Sequence, residues 1–266
     1  MDRIADYTFI RSLGQGNYGE FFLAKPPSRL PVNCDYVAVK VLAGNTTDDT
    51  FRRATKELRV FAAVRSPYLV RLYDAGQEGG TFYYTMEYFE LGSLANPARP
   101  LTRADILRAM ADAARAAHVL HEAGVVHRDI KPANIMVHEG GAKLSDLGLA
   151  QFLNPGQSVT GMGPIGSIEF MDPGLMRGER GSRASDIWSL GASLHRVLSG
   201  KGLYGELPDR DALLALRKVL TTAPTVDPSL GPAERDVIAA CLTADPAERP
   251  RTAAELAERI EALPAG

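Results

Sequence analysis

The sequence predicts an α+β fold of two lobes, a β-rich front and an α-rich back. The first ninety residues break into short strand patterns separated by Gly, Pro, Asn and Asp, whereas beyond Gly92 the apolar residues recur at three- and four-residue spacing. An apolar content of 45% over 266 residues supplies a core large enough for one large domain or two packed lobes. The front lobe is set at 1–86, the joint at 87–92 and the back lobe at 93–266.

In chain order, YTFIRSL, EFFLAK and DYVAVKVL read as strands, followed later by LVRLYDAG and TFYYTMEYF, so an antiparallel sheet is the simple arrangement. One helix, from about Thr50 to Val64, interrupts them. Its Phe51, Ala54, Leu58 and Phe61 share a face that would dock on the sheet. In the back lobe, Thr102 with Asp105 three positions on has the form of a capping box. The apolar stripe Ile106, Met110, Ala113, Ala117, Leu120 then predicts a long buried helix ending near Gly124. Further helical patterns cover Ala184–Leu198, Asp209–Leu220, Pro232–Leu242 and Thr252–Leu263.

The charge balance excludes several function classes. With 30 Lys and Arg against 32 Asp and Glu, the net charge of −2 gives no overall basic field for nucleic acid or a membrane surface. Cys34 and Cys241 are too few for a disulfide scaffold and have no metal-ligand spacing, which suits a reducing cytosol. No apolar run reaches membrane-spanning or signal-peptide length, so the polypeptide is expected to be soluble and cytoplasmic. It could equally be the cytosolic domain of a longer protein with a membrane segment beyond Gly266.

Three motifs carry chemistry. Gly14-Gln15-Gly16-Asn17-Tyr18-Gly19 lies between two strand patterns rather than at the opening of a helix, which argues against a dinucleotide fold and for a hairpin whose backbone N–H groups cover phosphate oxygens. Alone, such a GxGxxG is a weak signal, and an ordinary glycine-rich turn is its bland alternative. Val37-Ala38-Val39-Lys40 places a Lys in a strand, where it needs an anion; Glu57 in the intervening helix can supply one. His127-Arg128-Asp129-Ile130-Lys131-Pro132-Ala133-Asn134, followed by Asp146-Leu147-Gly148, is the strongest signal. An Asp in such a loop can accept a hydroxyl proton, and an Asn and an Asp are the hard oxygen donors that Mg²⁺ prefers.

The order of these motifs resembles the eukaryotic-type (Hanks-type) Ser/Thr protein kinase catalytic domain, over about Tyr7 to Leu263. The resemblance implies a bilobal protein kinase fold with ATP in the cleft between the lobes. It implies an ATP- and Mg²⁺-dependent enzyme, with Mn²⁺ as a possible substitute, that phosphorylates Ser and Thr of protein substrates and also itself, as a possible dimer acting in trans. Asp129 would be the catalytic base, Lys131 would stabilise the transferring phosphate, and Asn134 and Asp146 would hold the metal. Tyrosine-specific members usually lack that Lys. Lys40, held by Glu57, would contact the α- and β-phosphates.

Leu13, Gly14, Gln15, Gly16, Asn17, Gly19 and Phe21 would surround the nucleotide. Ala38 and Met136 would sandwich the adenine, with Met86 as gatekeeper and the Glu87 carbonyl and Phe89 N–H reading its edge. Core membership is the competing account of these apolar residues. In the activation segment, Ser158 and Thr160 would be the phosphorylation candidates, paired with Arg128, while Ser167 would contact Asp129 and Lys131. Asp186, in DIWSLG, would anchor the catalytic-loop backbone. Ala and Arg richness with few insertions suggests a bacterial member.

The family pattern breaks at one place. Its APE triplet reads Asp172-Pro173-Gly174 here, so Arg249 loses its usual glutamate, and Glu169, Asp172 and Glu179 are the possible replacements. Phe21 replaces the usual Val over the adenine, and Leu147 the usual Phe. The missing glutamate motivates an alternative, a pseudokinase scaffold that binds nucleotide or protein partners without transfer. A small-molecule phosphotransferase of kinase-like fold ranks third.

Overall fold

The computed structural model describes residues 2–16, 19–43, 47–146, 165–208 and 211–265. Within this set the chain forms two compact units, one built from residues 2–63 and 70–88, the other from 64–69, 89–146 and 165–265.

The first unit is a six-stranded antiparallel sheet with one helix. Its strands are β1 (Arg3–Ile4), β2 (Tyr7–Gly16), β3 (Gly19–Ala24), β4 (Val37–Leu42), β5 (Leu72–Glu78) and β6 (Thr81–Glu87), in the order β1-β2-β3-β4-β6-β5. Helix α1 spans Asp48–Ala63. The strand VAVKVL is buried along its whole length because the β-branched residues pack on both faces of a central strand. Tyr7, Phe22, Val37, Val39 and Tyr83 form the core on one side. Ala54, Leu58 and Phe61 of α1 are buried, and Phe51 meets Phe82 edge-on at 5.4 Å, so the expected helix face is the packed one. Strand β5 starts at Leu72 rather than at Leu69, which instead bridges to Leu144 in the second unit's own fold.

In the second unit, helix α2 (Arg103–Glu122) opens with the expected capping box: the Thr102 hydroxyl accepts from the Asp105 N–H and the Asp105 carboxylate accepts from the Thr102 N–H. Its Ala109, Met110, Ala113, Ala114, Ala116, Ala117 and Leu120 are buried to within 1% of complete, as a helix apolar over much of its surface requires. A small sheet that the periodicity did not predict follows the order β10-β9-β7-β8, from β7 (Gly92–Ser93), β8 (Asn96–Pro97), β9 (Ile135–His138) and β10 (Gly141–Leu144). The remaining α-helices among the described residues are α3 (Pro173–Met176), α4 (Arg183–Ser199), α5 (Ala212–Thr221), α6 (Pro232–Cys241) and α7 (Ala253–Glu261). The last four fall within the predicted helical patterns to within a few residues. No helix among the described residues is long and apolar enough to cross a membrane.

Candidate active site

In the first unit, the glycine motif sits where its hairpin reading requires. Gly16 pairs with Gly19 and Gln15 with Glu20 across β2 and β3, after a bulge between Ser12 and Gly14. Gly14 has φ +126, a conformation that a side chain would strain. A Cβ on Gly16 would lie 2.7 Å from the Phe21 ring, and one on Gly19 2.0 Å from the Val41 carbonyl oxygen, so the loop needs glycine at both places. Phe21 faces Lys40 in register, and its ring lies 4.6 Å from the Lys40 ammonium, with Tyr84 5.7 Å away on another side. Lys40 is 7% exposed. Ala38 pairs with Met86, and both are buried. Leu13 borders this hairpin, and Glu87 ends β6, its N–H donating to the Arg71 carbonyl at 2.9 Å. Asn17 and the Glu57 side chain lie outside the described residues.

In the second unit, Asp129 is the centre of a connected polar cluster. The Lys131 ammonium donates to both Asp129 carboxylate oxygens, at 2.9 and 2.8 Å, and to the Ser167 hydroxyl at 3.0 Å. Asn134 Nδ2 donates to the Asp129 carbonyl at 2.7 Å and to its Oδ2 at 3.0 Å. Lys131 and Asn134 are buried, while the Asp129 side chain keeps 26% exposure, so the carboxylate is held from behind and open in front. This leaves a fixed acceptor beside a cation and a hydroxyl, which is what orienting an incoming hydroxyl requires.

The loop that carries Asp129 is pinned from beneath. Asp186, fully buried in the first turns of α4, accepts from the His127 N–H at 2.8 Å, the Arg128 N–H at 2.8 Å and His121 Nε2 at 2.8 Å. Helix α4 starts there because Ser182 caps it, its hydroxyl accepting from the Ser185 N–H. Arg128 is held at φ +69, a strained value for a residue with a side chain, which the two backbone bonds from His127 and Arg128 to Asp186 sustain. His127 is a further tie, whose role the motif alone does not disclose: its Nδ1 accepts from the Asp129 N–H at 3.3 Å and its Nε2 donates to the Ser145 carbonyl at 3.0 Å. Complete burial pushes the His127 pKa down, in keeping with the neutral tautomer these two bonds define.

The candidate metal ligands are neighbours by backbone pairing. Asn134 precedes β9 and Asp146 follows β10, and the hairpin closes with the Ser145 N–H donating to the Asn134 carbonyl at 2.8 Å. Because Nδ2 of Asn134 is spent on Asp129, its Oδ1 remains as acceptor; Asp146 is held at φ +53. No cluster of three or more His, Cys, Asp or Glu able to hold a metal occurs among the described residues. Two hard oxygens nonetheless fit a divalent ion that takes its other ligands from phosphate and water. Met136 pairs with Ser93 and is half-buried, and Phe89 is buried with its carbonyl accepting from the Gly92 N–H at 3.2 Å. Leu147, Ser158 and Thr160 lie outside the described residues.

The departure from the family triplet is resolved by Asp172. Its Oδ2 accepts from Arg249 Nη1 at 2.5 Å, and its Oδ1 caps the Gly174 N–H at 2.8 Å. Arg249 also donates to the carbonyls of Thr243 and Ala184, both at 2.9 Å, and stacks 4.9 Å from the Trp188 ring. Glu169 instead pairs with Arg196, and Glu179 is an exposed partner of Arg177 at 3.9 Å.

A family model described as protein kinase domain matches residues 7–259. The chain is 32% identical over 257 residues to the serine/threonine-protein kinase PknB of Mycolicibacterium smegmatis, covering 92% of this chain and 40% of that protein. It is 29% identical over 263 residues to the serine/threonine-protein kinase PrkC of Bacillus subtilis, with 96% and 40% covered, and 28% identical over 266 residues to mitogen-activated protein kinase kinase 1 of Arabidopsis thaliana, with 96% and 73% covered. The chain thus spans two fifths of the length of these two bacterial relatives.

Proposed function

The chain belongs to the protein kinase family, and on that premise we propose that it transfers the γ-phosphate of ATP to Ser or Thr hydroxyls of proteins in a Mg²⁺-dependent reaction. The observation that carries this reading is the cluster in which Lys131 bridges Asp129 and Ser167 while Asn134 braces the same carboxylate. Asp129 accepts the hydroxyl proton as the substrate oxygen attacks the γ-phosphorus, the bond to the β–γ bridging oxygen breaks, and ADP leaves. Lys131 offers a positive charge where negative charge spreads over the transferring group. Asn134 and Asp146 would hold the metal, which neutralises phosphate charge when bound. Lys40 serves the α- and β-phosphates, and the glycine hairpin's N–H groups cover the chain of phosphates. Ser and Thr acceptors are favoured over Tyr by Lys131 and by the names of the bacterial relatives.

The pseudokinase alternative rested on the missing triplet glutamate, and Asp172 supplies the partner that residue would have given Arg249. We place the chain on the cytosolic side of the membrane, where ATP is found; both cysteines are free thiols. Its substrates are proteins, a second copy of the chain among them, which makes trans-autophosphorylation in a dimer the expected first reaction. Incubation with ATP and Mg²⁺ followed by mass spectrometry tests the proposal. Phosphate on Ser and Thr, absent in Asp129→Asn, is expected; phosphate confined to Tyr, or none on any protein offered, refutes it.

A further inference from the structure

Alternation along β3 decides where its two phenylalanines go. Phe22 turns into the core with Val39 and Val41, so Phe21 turns to the other face, where it pairs in register with Lys40. There the centre of its ring lies 4.6 Å from the Lys40 ammonium. Tyr84, the partner of Lys40 on β6, has its ring 5.7 Å from the same ammonium. The Phe21 ring also reaches the glycine hairpin, its Cε2 lying 2.7 Å from the point that a Cβ on Gly16 would occupy. One ring thus touches both groups to which the proposed reaction assigns the phosphates, the hairpin backbone and the ammonium.

Lys40 is 7% exposed, so little of its surface meets an incoming anion as the structure stands. The two rings beside it differ in freedom. Tyr84 is 2% exposed and lies against Phe82, whereas Phe21 is only half-buried. Phe21 can therefore change rotamer without opening the core, and Tyr84 cannot. A cation held over an aromatic face is attracted by the ring quadrupole, more strongly where water is withdrawn. Phosphate oxygens offer the same ammonium full negative charge and charge-assisted hydrogen bonds, a stronger contact. Ring and phosphate compete for one cation, and the phosphate prevails at a cost in affinity.

We propose that Phe21 is a displaceable cap on Lys40 that sets nucleotide affinity, its ring holding the ammonium until the phosphates of a nucleoside di- or triphosphate turn it aside. The inference rests on the nucleotide site proposed above. Its test is calorimetric titration of the intact chain with ADP in the presence of Mg²⁺. Phe21→Val and Phe21→Leu, which remove the ring, should bind ADP about twofold to thirtyfold more tightly than the parent, the range set by the lost cation–π contact. Adenosine, which brings no charge to the ammonium, should gain less. In nuclear magnetic resonance spectra of the parent, the Gly16 α-protons should carry a ring-current shift that Phe21→Val abolishes and that ADP also removes. Equal or weaker ADP binding by both variants, the result expected of a ring that stacks on the adenine, would overturn the proposal. So would an equal gain for adenosine, or a Gly16 ring shift that is missing from the free chain or persists in the ADP complex. Each of these leaves the kinase assignment standing. Failure of the parent and both variants to bind ADP at all would instead refute the proposed function, and this inference with it.

Discussion

Removing the charge of Asp172 should destabilise the second unit more than any surface change. Asp172 and Arg249 are 6% and 4% exposed, and their 2.5 Å bond is the ionic contact that neutralises the guanidinium. Asp172→Asn preserves an oxygen to cap the Gly174 N–H but leaves Arg249 a buried cation with only the Thr243 and Ala184 carbonyls and the Trp188 ring. Breaking a buried pair at one end costs about 3–5 kcal/mol, because desolvation of the remaining ion is no longer offset. Arg249→Met should cost a similar amount by stranding Asp172. The double variant should lose much less than the sum, giving a coupling of about 2 kcal/mol or more in a double-mutant cycle. Urea denaturation followed by fluorescence suits the measurement, since Trp188 is the sole tryptophan and lies against Arg249. Adding Gly174→Glu to Asp172→Asn returns a carboxylate to the family position and should recover part of the loss. Its Cβ would sit 2.7 Å from Glu179 Oε2, the mobile end of an exposed side chain. Additive single effects, or Asp172→Asn within about 0.5 kcal/mol of the parent, would refute the pairing as the replacement for the missing glutamate.

Ser167→Ala removes one acceptor from Lys131 and should lower kcat/KM about tenfold to a hundredfold, with Ser167→Thr near the parent rate; equal rates in all three would remove Ser167 from the site. Asp186→Asn places an amide donor among three buried donors and should cost about 2–5 kcal/mol. Hydrogen exchange at the His127 and Arg128 amides should then quicken, and unchanged protection would contradict the anchoring role. Burial lowers the pKa of His127 and of His195 from 6.5, so below that pH the unfolded chain binds protons that the folded chain does not. Stability should therefore be full above pH 6.5 and fall on acidification by up to about 1.4 kcal/mol per unit for each histidine. A urea midpoint that stays level or rises between neutral pH and mildly acidic pH would oppose this. Gly141→Ala would push a Cβ to 2.1 Å from Asp112 Oδ2 at φ +144, and should cost about 2–3 kcal/mol by calorimetry.

What was legible in the sequence was what local chemistry decides. The Thr102–Asp105 box acts across three residues, and the apolar stripe of α2 repeats with the helix, so both could be read without knowing the fold. The short strands β7 to β10 are two to four residues long, too short for any period, and pair Ser93 with Met136 across more than forty positions. The same limit governed the site. Asp129, Lys131 and Asn134 lie within six residues, so their cooperation was visible as a motif. The choice among Glu169, Asp172 and Glu179 was not visible, because Arg249 lies 77 residues from the acid it selects. That choice is made by burial. Glu169 is claimed by Arg196 and Glu179 is left in water, whereas Asp172 starts α3 by capping its own helix and so presents its second oxygen inward to Arg249. The aspartate thereby does at the triplet's first position what the family's glutamate does at its third. A shorter acid placed two residues earlier needs the cap to fix its direction, which ties the ion pair to the turn at Gly174 and makes the two features change together or not at all.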